Sequence, residues 1–467
     1  MTQFALRLLA EQRDRIADLL FKDDSERAVL ALCGRSRVKD PWSGEVDERF
    51  LVREIIEVPE DAYEARSPDG FTWSTTPFFN ALKLAEAKDF AVAVFHAHPA
   101  GQLKFSGADD IAEHDLFQIA FNRLDSDRPH LSVIMDRTKD LAARVYGPDL
   151  KPQAASRIMV IGKRWQSWLS GPAAIAPVEL DRQARAFGTA SSAQIAGLKI
   201  GLVGCGGTGS AIAMLLARIG VRKLALLDDD IVEDTNLNRL HFATRIDASL
   251  RRKKVDVVGE GAAAIGLPIS IIRVPDFADR PAGLAILKAC DVVFGCTDDD
   301  LGREVLNRLA HFYFIPVIDV GLLIEPNANG GYDIFDGRVT VVQPGYPCQS
   351  CRGLISNDQV YQDSLRRDPE LQEARRRAGY VPNDPDPSPV VVTFTTEVAA
   401  MAVNELFHRL NGFRGEEQTC SERVRQFQYL KNSDTLPSGH SKQGCKICGV
   451  RRYDGRGDMN PMLDLTL

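Results

Sequence analysis

No apolar run of the chain reaches the length of a membrane span, which excludes a helical membrane protein. Basic residues do not outnumber acidic ones, and a net charge of −7 leaves no general basic surface, so nucleic acid is not an expected partner. The opening residues, MTQFALRLLAEQRDRI, read as an amphipathic helix. They lack the uninterrupted apolar core of a signal peptide, and the protein is expected to be cytoplasmic. In that compartment nine cysteines, four of them in two CxxC pairs, read as metal ligands rather than disulfides. The 467 residues suffice for two or three domains of ordinary globular composition.

What is present centres on residues 199–239, KIGLVGCGGTGSAIAMLLARIGVRKLALLDDDIVEDTNLNR. A strand over residues 200–203 runs into a turn holding Gly204, Gly206, Gly207 and Gly209; Ser210 then opens a helix, and a strand over 223–227 ends in Asp228. Glycines let backbone approach phosphates, a helix N-terminus offers them free N–H groups, and a carboxylate ending the second strand can take ribose hydroxyls. Alone this is a dinucleotide fingerprint and reads as an NAD-dependent dehydrogenase. The continuation argues for ATP. In the run Asp228-Asp229-Asp230-Ile231-Val232-Glu233 further acids can hold Mg²⁺, and in Asn236-Leu237-Asn238-Arg239 an Asn and an Arg can neutralise phosphates.

These motifs, with others downstream, resemble the ThiF/MoeB family of the ubiquitin-activating-enzyme superfamily, and the match runs over roughly residues 180–450. The resemblance implies an α/β, Rossmann-like adenylation domain over 181–467. It implies that Asp228 binds ribose and that Asn236, Arg239 and Lys254 in RRKKVDVV bind phosphates, with Lys253 an adjacent rival. It places the Mg²⁺ or adenylate-site acid on Asp298, in Cys296-Thr297-Asp298-Asp299 after the apolar strand 291–295. Arg182 in DRQARAFG matches the Arg that, in this family, crosses a homodimer into the partner's ATP site.

Residues 1–150 read as a separate unit: strands at 28–33, 51–58 and 90–95, a helix at 78–87, and a helix capped by Ser106 that runs to 124. His96 and His98, at i and i+2 on one strand, face the same way and make half a metal site. With seven residues separating His98 from Ser106, and Asp109 three further on, the set resembles the JAMM/MPN+ zinc metallopeptidase signature. That resemblance implies a catalytic Zn²⁺ on His96, His98 and Asp109, with Ser106 stabilising an oxyanion and a Glu on an early strand moving protons. Glu26 in SERAVLALCG fits that Glu best, with Glu54 and Glu57 as alternatives. Asp110 could replace Asp109, but only Asp109 fits the spacing.

Residues 151–180 are expected to form a packed joint rather than a loose linker, because Trp165 and Trp168 call for burial. Further on, residues 312–320 and 338–343 read as strands. Cys348 and Cys351, with Cys445 and Cys448, read as a closed structural Zn²⁺ site pinning the C-terminal tail, as in ThiF/MoeB proteins. The charged stretch at about 355–390 fits the family's crossover loop over adenylate and substrate tail, and a buried helix follows at 396–410. No cysteine lies from Arg352 to Gly412 to accept an acyl group as a thioester. Cys420 is expected to be exposed and is the remaining weak candidate.

The whole therefore resembles a JAMM isopeptidase fused to a ubiquitin-like-protein activating enzyme, as in bacterial ubiquitin-like modification operons, with phage defence conceivable by analogy to them. The resemblance implies ATP, Mg²⁺ and two Zn²⁺ ions, a ubiquitin-like or sulfur-carrier protein as partner, a conjugating enzyme, and a homodimer. Activation of a sulfur carrier for thiocarboxylate formation is the enzymatic alternative. An assembly scaffold is the non-enzymatic one, disfavoured by the intact ligand sets.

Overall fold

The computed structural model describes residues 2–68, 70–98, 103–124, 127–169, 178–368, 370, 377, 389–428, 434–437 and 439–459. The chain divides into two compact units: Met1–Ala173 with Phe312–Phe314 and Tyr453–Leu467, and Ala174–His311 with Ile315–Arg452. No helix among the described residues is long and apolar enough to cross a membrane.

The first unit is built on strands β1 (Thr2–Leu9), β2 (Ala28–Lys39), β3 (Val46–Glu57), a separate hairpin of β4 (Tyr63–Ser67) and β5 (Gly70–Trp73), β6 (Ala91–Ala97), β7 (His130–Met135), β8 (Leu141–Tyr146), β9 (Pro152–Ala154), β10 (Arg157–Ile161) and β11 (Trp165–Leu169). Nine of them form one sheet in the order β11-β10-β1-β3-β2-β6-β7-β8-β9. Alternation along β2 builds both cores: Val29, Ala31 and Cys33 pack toward helix Ala10–Leu20, while Leu30 and Leu32 pack toward helix Thr76–Lys88 and Phe117 of helix Gly107–Arg123.

The opening residues correct the sequence reading. Thr2–Leu9 is a strand, and the helix starts only at Ala10. β1 lies between β3 and β10, parallel to both, and a central strand buried on both faces has a continuous apolar run that mimics a helix segment. Its one charge, buried Arg7, donates through Nη1 to the carbonyl of Phe314 at 3.0 Å. The stretch read as a packed joint supplies β9, β10 and β11; Trp165 is buried, and Trp168 donates its indole N–H to Asp140 at 3.2 Å.

The second unit carries β12 (Lys199–Val203), β13 (Lys223–Leu227), β14 (Ser270–Val274), β15 (Val292–Gly295), β16 (Val317–Pro326), β17 (Tyr332–Val342), β18 (Glu422–Gln426) and β19 (Asp434–Thr435), in the order β14-β13-β12-β15-β16-β17-β18-β19. β14 to β16 pair in parallel, and the remaining pairs are antiparallel. The parallel part aligns its carboxyl ends, where open α/β sheets bind ligands. Three boundaries differ from expectation. Residues up to Phe312 close the amphipathic helix Asp300–Phe312, so the next strand starts at Val317. The glycine-turn helix starts at Gly207 rather than Ser210, with Gly206 at its N-cap. The helix expected at 396–410 spans Val392–Asn411.

Candidate functional sites

The glycine turn sits at the carboxyl end of β12. Gly204 has φ +89, and a Cβ there would lie 2.5 Å from the Cys296 carbonyl oxygen; on Gly209 it would lie 1.8 Å from that of Gly204. Both are glycines because backbone passes against backbone. A Cβ on Gly206 would meet nothing within 4 Å, so open space lies over the N-terminus of helix Gly207–Arg218. Arg239 packs its aliphatic stem on Gly207, 3.4 Å from the position of a Cβ there. Buried Asn236 accepts the Glu233 N–H at 3.1 Å, fixing the turn that carries Arg239.

Asp228 ends β13 and accepts the Cys205 N–H at 2.6 Å and the Asp230 N–H at 2.9 Å. Burial raises its carboxyl and that of Asp229. One ligand oxygen from each of Asp228, Asp229 and Asp230 falls within 4.8 Å of the others. These hard oxygen donors fit a divalent cation, which would relieve the cost of three clustered acids. Lys254 puts Nζ 2.6 Å from Asp230, and although burial opposes its charge, Asp228, Asp230 and Asp298 raise its pKa. Lys253 instead donates to the Asp229 carbonyl. Asp298 is exposed on the loop after β15.

In the first unit, His96 lies near the end of β6 and His98 directly follows it, and their Nε2 atoms lie 3.2 Å apart. Asp109 Oδ1 is 3.3 Å from His96 Nε2, and its Oδ2 is 3.5 Å from His98 Nε2. Burial works against the charge of Asp109, yet hydrogen bonds from both imidazoles and the Ser106 N–H hold its carboxyl well below the usual range. Two imidazoles and a carboxylate converging on one point are a fitting donor set for Zn²⁺. Asp110 turns away to Arg144 at 2.5 Å. Ser106 caps helix Gly107–Arg123, its Oγ accepting the Asp109 N–H at 3.1 Å, which leaves its hydroxyl proton to donate.

Ala28 pairs with His96 across antiparallel β2 and β6, and the Arg27 carbonyl next accepts the Ala97 N–H at 3.1 Å. Glu26 lies two residues before β2 at this end of β6, its N–H donating to the Ser67 carbonyl at 2.8 Å. The alternatives are engaged elsewhere: Glu54 pairs with Lys88 at 2.8 Å, and Glu57 pairs with Lys22.

The four CxxC cysteines converge, with Cys348 and Cys445 sulfurs 3.7 Å apart and Cys351 and Cys448 sulfurs 3.5 Å apart. Such separations are far beyond a disulfide bond. A hydrogen bond from the Cys348 thiol lowers Cys448, while burial raises Cys351. Four cysteine sulfurs gathered at one point are a fitting donor set for a tetrahedral Zn²⁺ ion.

Cys420 departs from expectation: it is half-buried, and burial raises its thiol, so little of the nucleophilic thiolate forms near neutrality. Arg182, on helix Asp181–Phe187, is exposed. The crossover stretch opens with helix Asn357–Arg366, whereas residues 369, 371–376 and 378–388 lie outside the described residues. Sequence reading missed Arg367, which bonds Asp299 at 2.6 Å, pairs with Asp279 and stacks on Phe277 at 4.1 Å. It also missed Asp363, which caps helix Asp300–Phe312 by accepting the Asp300 N–H at 2.8 Å. In sequence both are ordinary charges of a charged stretch, without a motif.

A family model described as the ThiF family matches residues 180–447. Among curated relatives, the SAMP-activating enzyme E1 of Haloferax volcanii is 26% identical over 178 residues, covering 37% of this chain and 62% of the relative. Molybdopterin-synthase adenylyltransferase of Escherichia coli is 31% identical over 152 residues, covering 32% of this chain and 56% of the relative. The chain thus spans about three fifths of these relatives' lengths. A crystal structure of E. coli MccB with ATP aligns over 58% of this chain and 75% of that one, with 16% identity and a TM-score of 0.44.

Proposed function

The chain belongs to the ThiF family, and from that premise we propose that it adenylates the C-terminal carboxylate of a ubiquitin-like or sulfur-carrier protein and that its first unit is a JAMM-type hydrolase acting after that protein's C-terminal glycine. The observation that carries the first activity is Lys254, set among Asp228, Asp230 and Asp298 beside the open helix N-terminus at Gly206. The names of two relatives, an activating enzyme and an adenylyltransferase, support the same reading.

In this reading the N–H groups at the start of helix Gly207–Arg218 receive phosphate oxygens, and Asp228 takes the ribose hydroxyls. Asn236 positions the phosphate-side turn, while Lys254 and Arg239 neutralise charge as the substrate carboxylate attacks the α-phosphate and pyrophosphate leaves. Asp298, with Asp230, would hold Mg²⁺, or Asp298 would orient the adenylate. Arg182 of a second copy completes the site in a homodimer. With its thiol raised by burial, Cys420 is a poor acceptor, which favours passing the adenylate to another protein's thiol, such as that of a conjugating enzyme.

In the first unit His96, His98 and Asp109 would hold Zn²⁺, which supplies the Lewis acidity that makes water nucleophilic at neutral pH. Glu26 takes the proton from that water and returns it to the leaving amine, and the Ser106 hydroxyl donates to the developing oxyanion. The free carboxylate released by one unit is the substrate of the other. ATP–pyrophosphate exchange that requires a glycine-ended ubiquitin-like protein tests the adenylation half, and no exchange with any such protein would reject it.

A further inference from the structure

We propose that Arg303, Asp319, Arg338, Glu422 and Arg352 form a positioning chain through which the four-cysteine cluster holds the loop carrying Asp298. That Asp298 acts in adenylation rests on the reading above; the chain of charges does not.

At one end, Arg303 grips both flanks of Asp298: its Nη2 donates to the Thr297 carbonyl at 2.8 Å, and its Nη1 lies 3.6 Å from Asp300. Its Nε is 3.7 Å from Asp319 Oδ1, and Asp319 Oδ2 is 3.5 Å from Arg338 Nη2. Arg338 Nε then lies 3.9 Å from Glu422 Oε1, and Glu422 Oε2 lies 2.8 Å from Arg352 Nη1. Arg352 directly follows Cys351, and its Nε donates at 3.3 Å to the carbonyl of Pro347, which directly precedes Cys348. Its guanidinium therefore spans both ends of the first cysteine pair.

Asp319 is the keystone. It is 0% exposed, and neither of its oxygens accepts a hydrogen bond from a described residue. Among the described residues, the two guanidiniums are the cations paired with it, at separations where burial keeps the attraction strong. It stands on β16 in register with Gly295, the last residue before the Cys296–Asp298 turn, and a Cβ on Gly295 would come within 3.2 Å of its Oδ1. Removing that anion sets two half-buried guanidiniums against each other and releases Arg303 from one side. A metal ion fixing Cys348 and Cys351 stiffens the other end, so the two sites share one rigid connection.

The test is hydrogen exchange across residues 296–302 in the full chain. Emptying the cluster with the double substitution Cys445→Ser, Cys448→Ser should speed exchange there by about tenfold. Asp319→Asn should do the same with cluster metal retained, and combining them should add little. Unchanged exchange on emptying the cluster, or full additivity with Asp319→Asn, overturns the proposal. If Asp319→Asn does not fold, Glu422→Gln cuts the outer link and is read the same way. In ATP–pyrophosphate exchange, Asp319→Asn should lower kcat with the KM for ATP kept, whereas equal loss in both counts against positioning. A wild-type chain without ATP–pyrophosphate exchange would sink the adenylation reading alone, and the hydrogen-exchange rates would still decide the positioning chain.

Discussion

Lys254 Nζ lies 2.6 Å from Asp230 Oδ2, while the preceding Lys253 turns its amine to the backbone carbonyl of Asp229. Adjacent lysines thus have different tasks. Lys254 pairs with Asp230, with Asp228 and Asp298 also raising its pKa, whereas Lys253 braces the loop after β13. Lys254→Ala should therefore lower ATP–pyrophosphate exchange roughly 10²–10³-fold, the scale for losing one preorganised charge-stabilising donor. Lys253→Ala should cost far less, and equal losses in the two variants would reject this division.

For the hydrolase half, the place of Glu26 just before β2, whose Ala28 pairs with His96, predicts a separation of metal binding from turnover. Glu26→Gln should keep full zinc and lose cleavage of a ubiquitin-like precursor by about 10²–10⁴-fold, the range for general acid–base catalysis. His96→Ala should remove one of two zinc ions per chain, read by metal analysis. Cleavage at wild-type rate in Glu26→Gln would mean another group carries the proton.

How much of this was legible in the sequence depended on whether a residue acts through a motif or through packing. Spacing alone favoured Asp109 over Asp110, and the structure adds why: Asp109 meets both imidazoles, whereas Asp110 pairs with Arg144. The glycine turn announced itself because Gly204 and Gly209 answer to backbone approach, which only glycine tolerates. Lys253 and Lys254 could not be separated, since the choice depends on which way each side chain leaves the β13-to-helix connection. Thr2–Leu9 was misread because its flanking strands, β3 and β10, come from much later in the chain. Asp319 gave no signal at all; an acid in an apolar strand shows its role only when two distant arginines arrive beside it.

A buried acid on helix Val392–Asn411 gives a pH signature. Glu405 accepts from Arg409 at 2.8 Å and from Arg414 at 2.5 Å; burial opposes its charge, but the two guanidiniums hold its pKa below the usual glutamate range. A depressed folded pKa contributes stability that is present above the unfolded value of about 4.3 and is lost as pH falls through the folded value. Glu405→Gln should thus destabilise the second unit by about 3–5 kcal/mol at pH 7, by leaving two guanidiniums without their anion. Denaturant midpoints should show that gap narrowing as pH drops from 5 to 3, and a gap constant across that range would contradict the ionised pairing.

The shared-site homodimer is the most exposed element of the proposed function, and Arg182 decides it. Arg182 stands on a short helix before β12, with its side chain exposed. An exposed guanidinium on its own domain's flank is available to a second copy, where it would stabilise charge as pyrophosphate departs. Mixing tests this directly. Arg182→Ala and Asp298→Ala chains should each be inactive alone. If the site is shared, a mixed dimer has one site lacking both residues and one with both intact. Statistical mixing makes half the dimers mixed, so activity should recover to roughly a quarter of the wild-type level per chain. Mixed dimers shown to form, yet remaining inactive, would place Arg182 within its own chain's site or outside catalysis altogether.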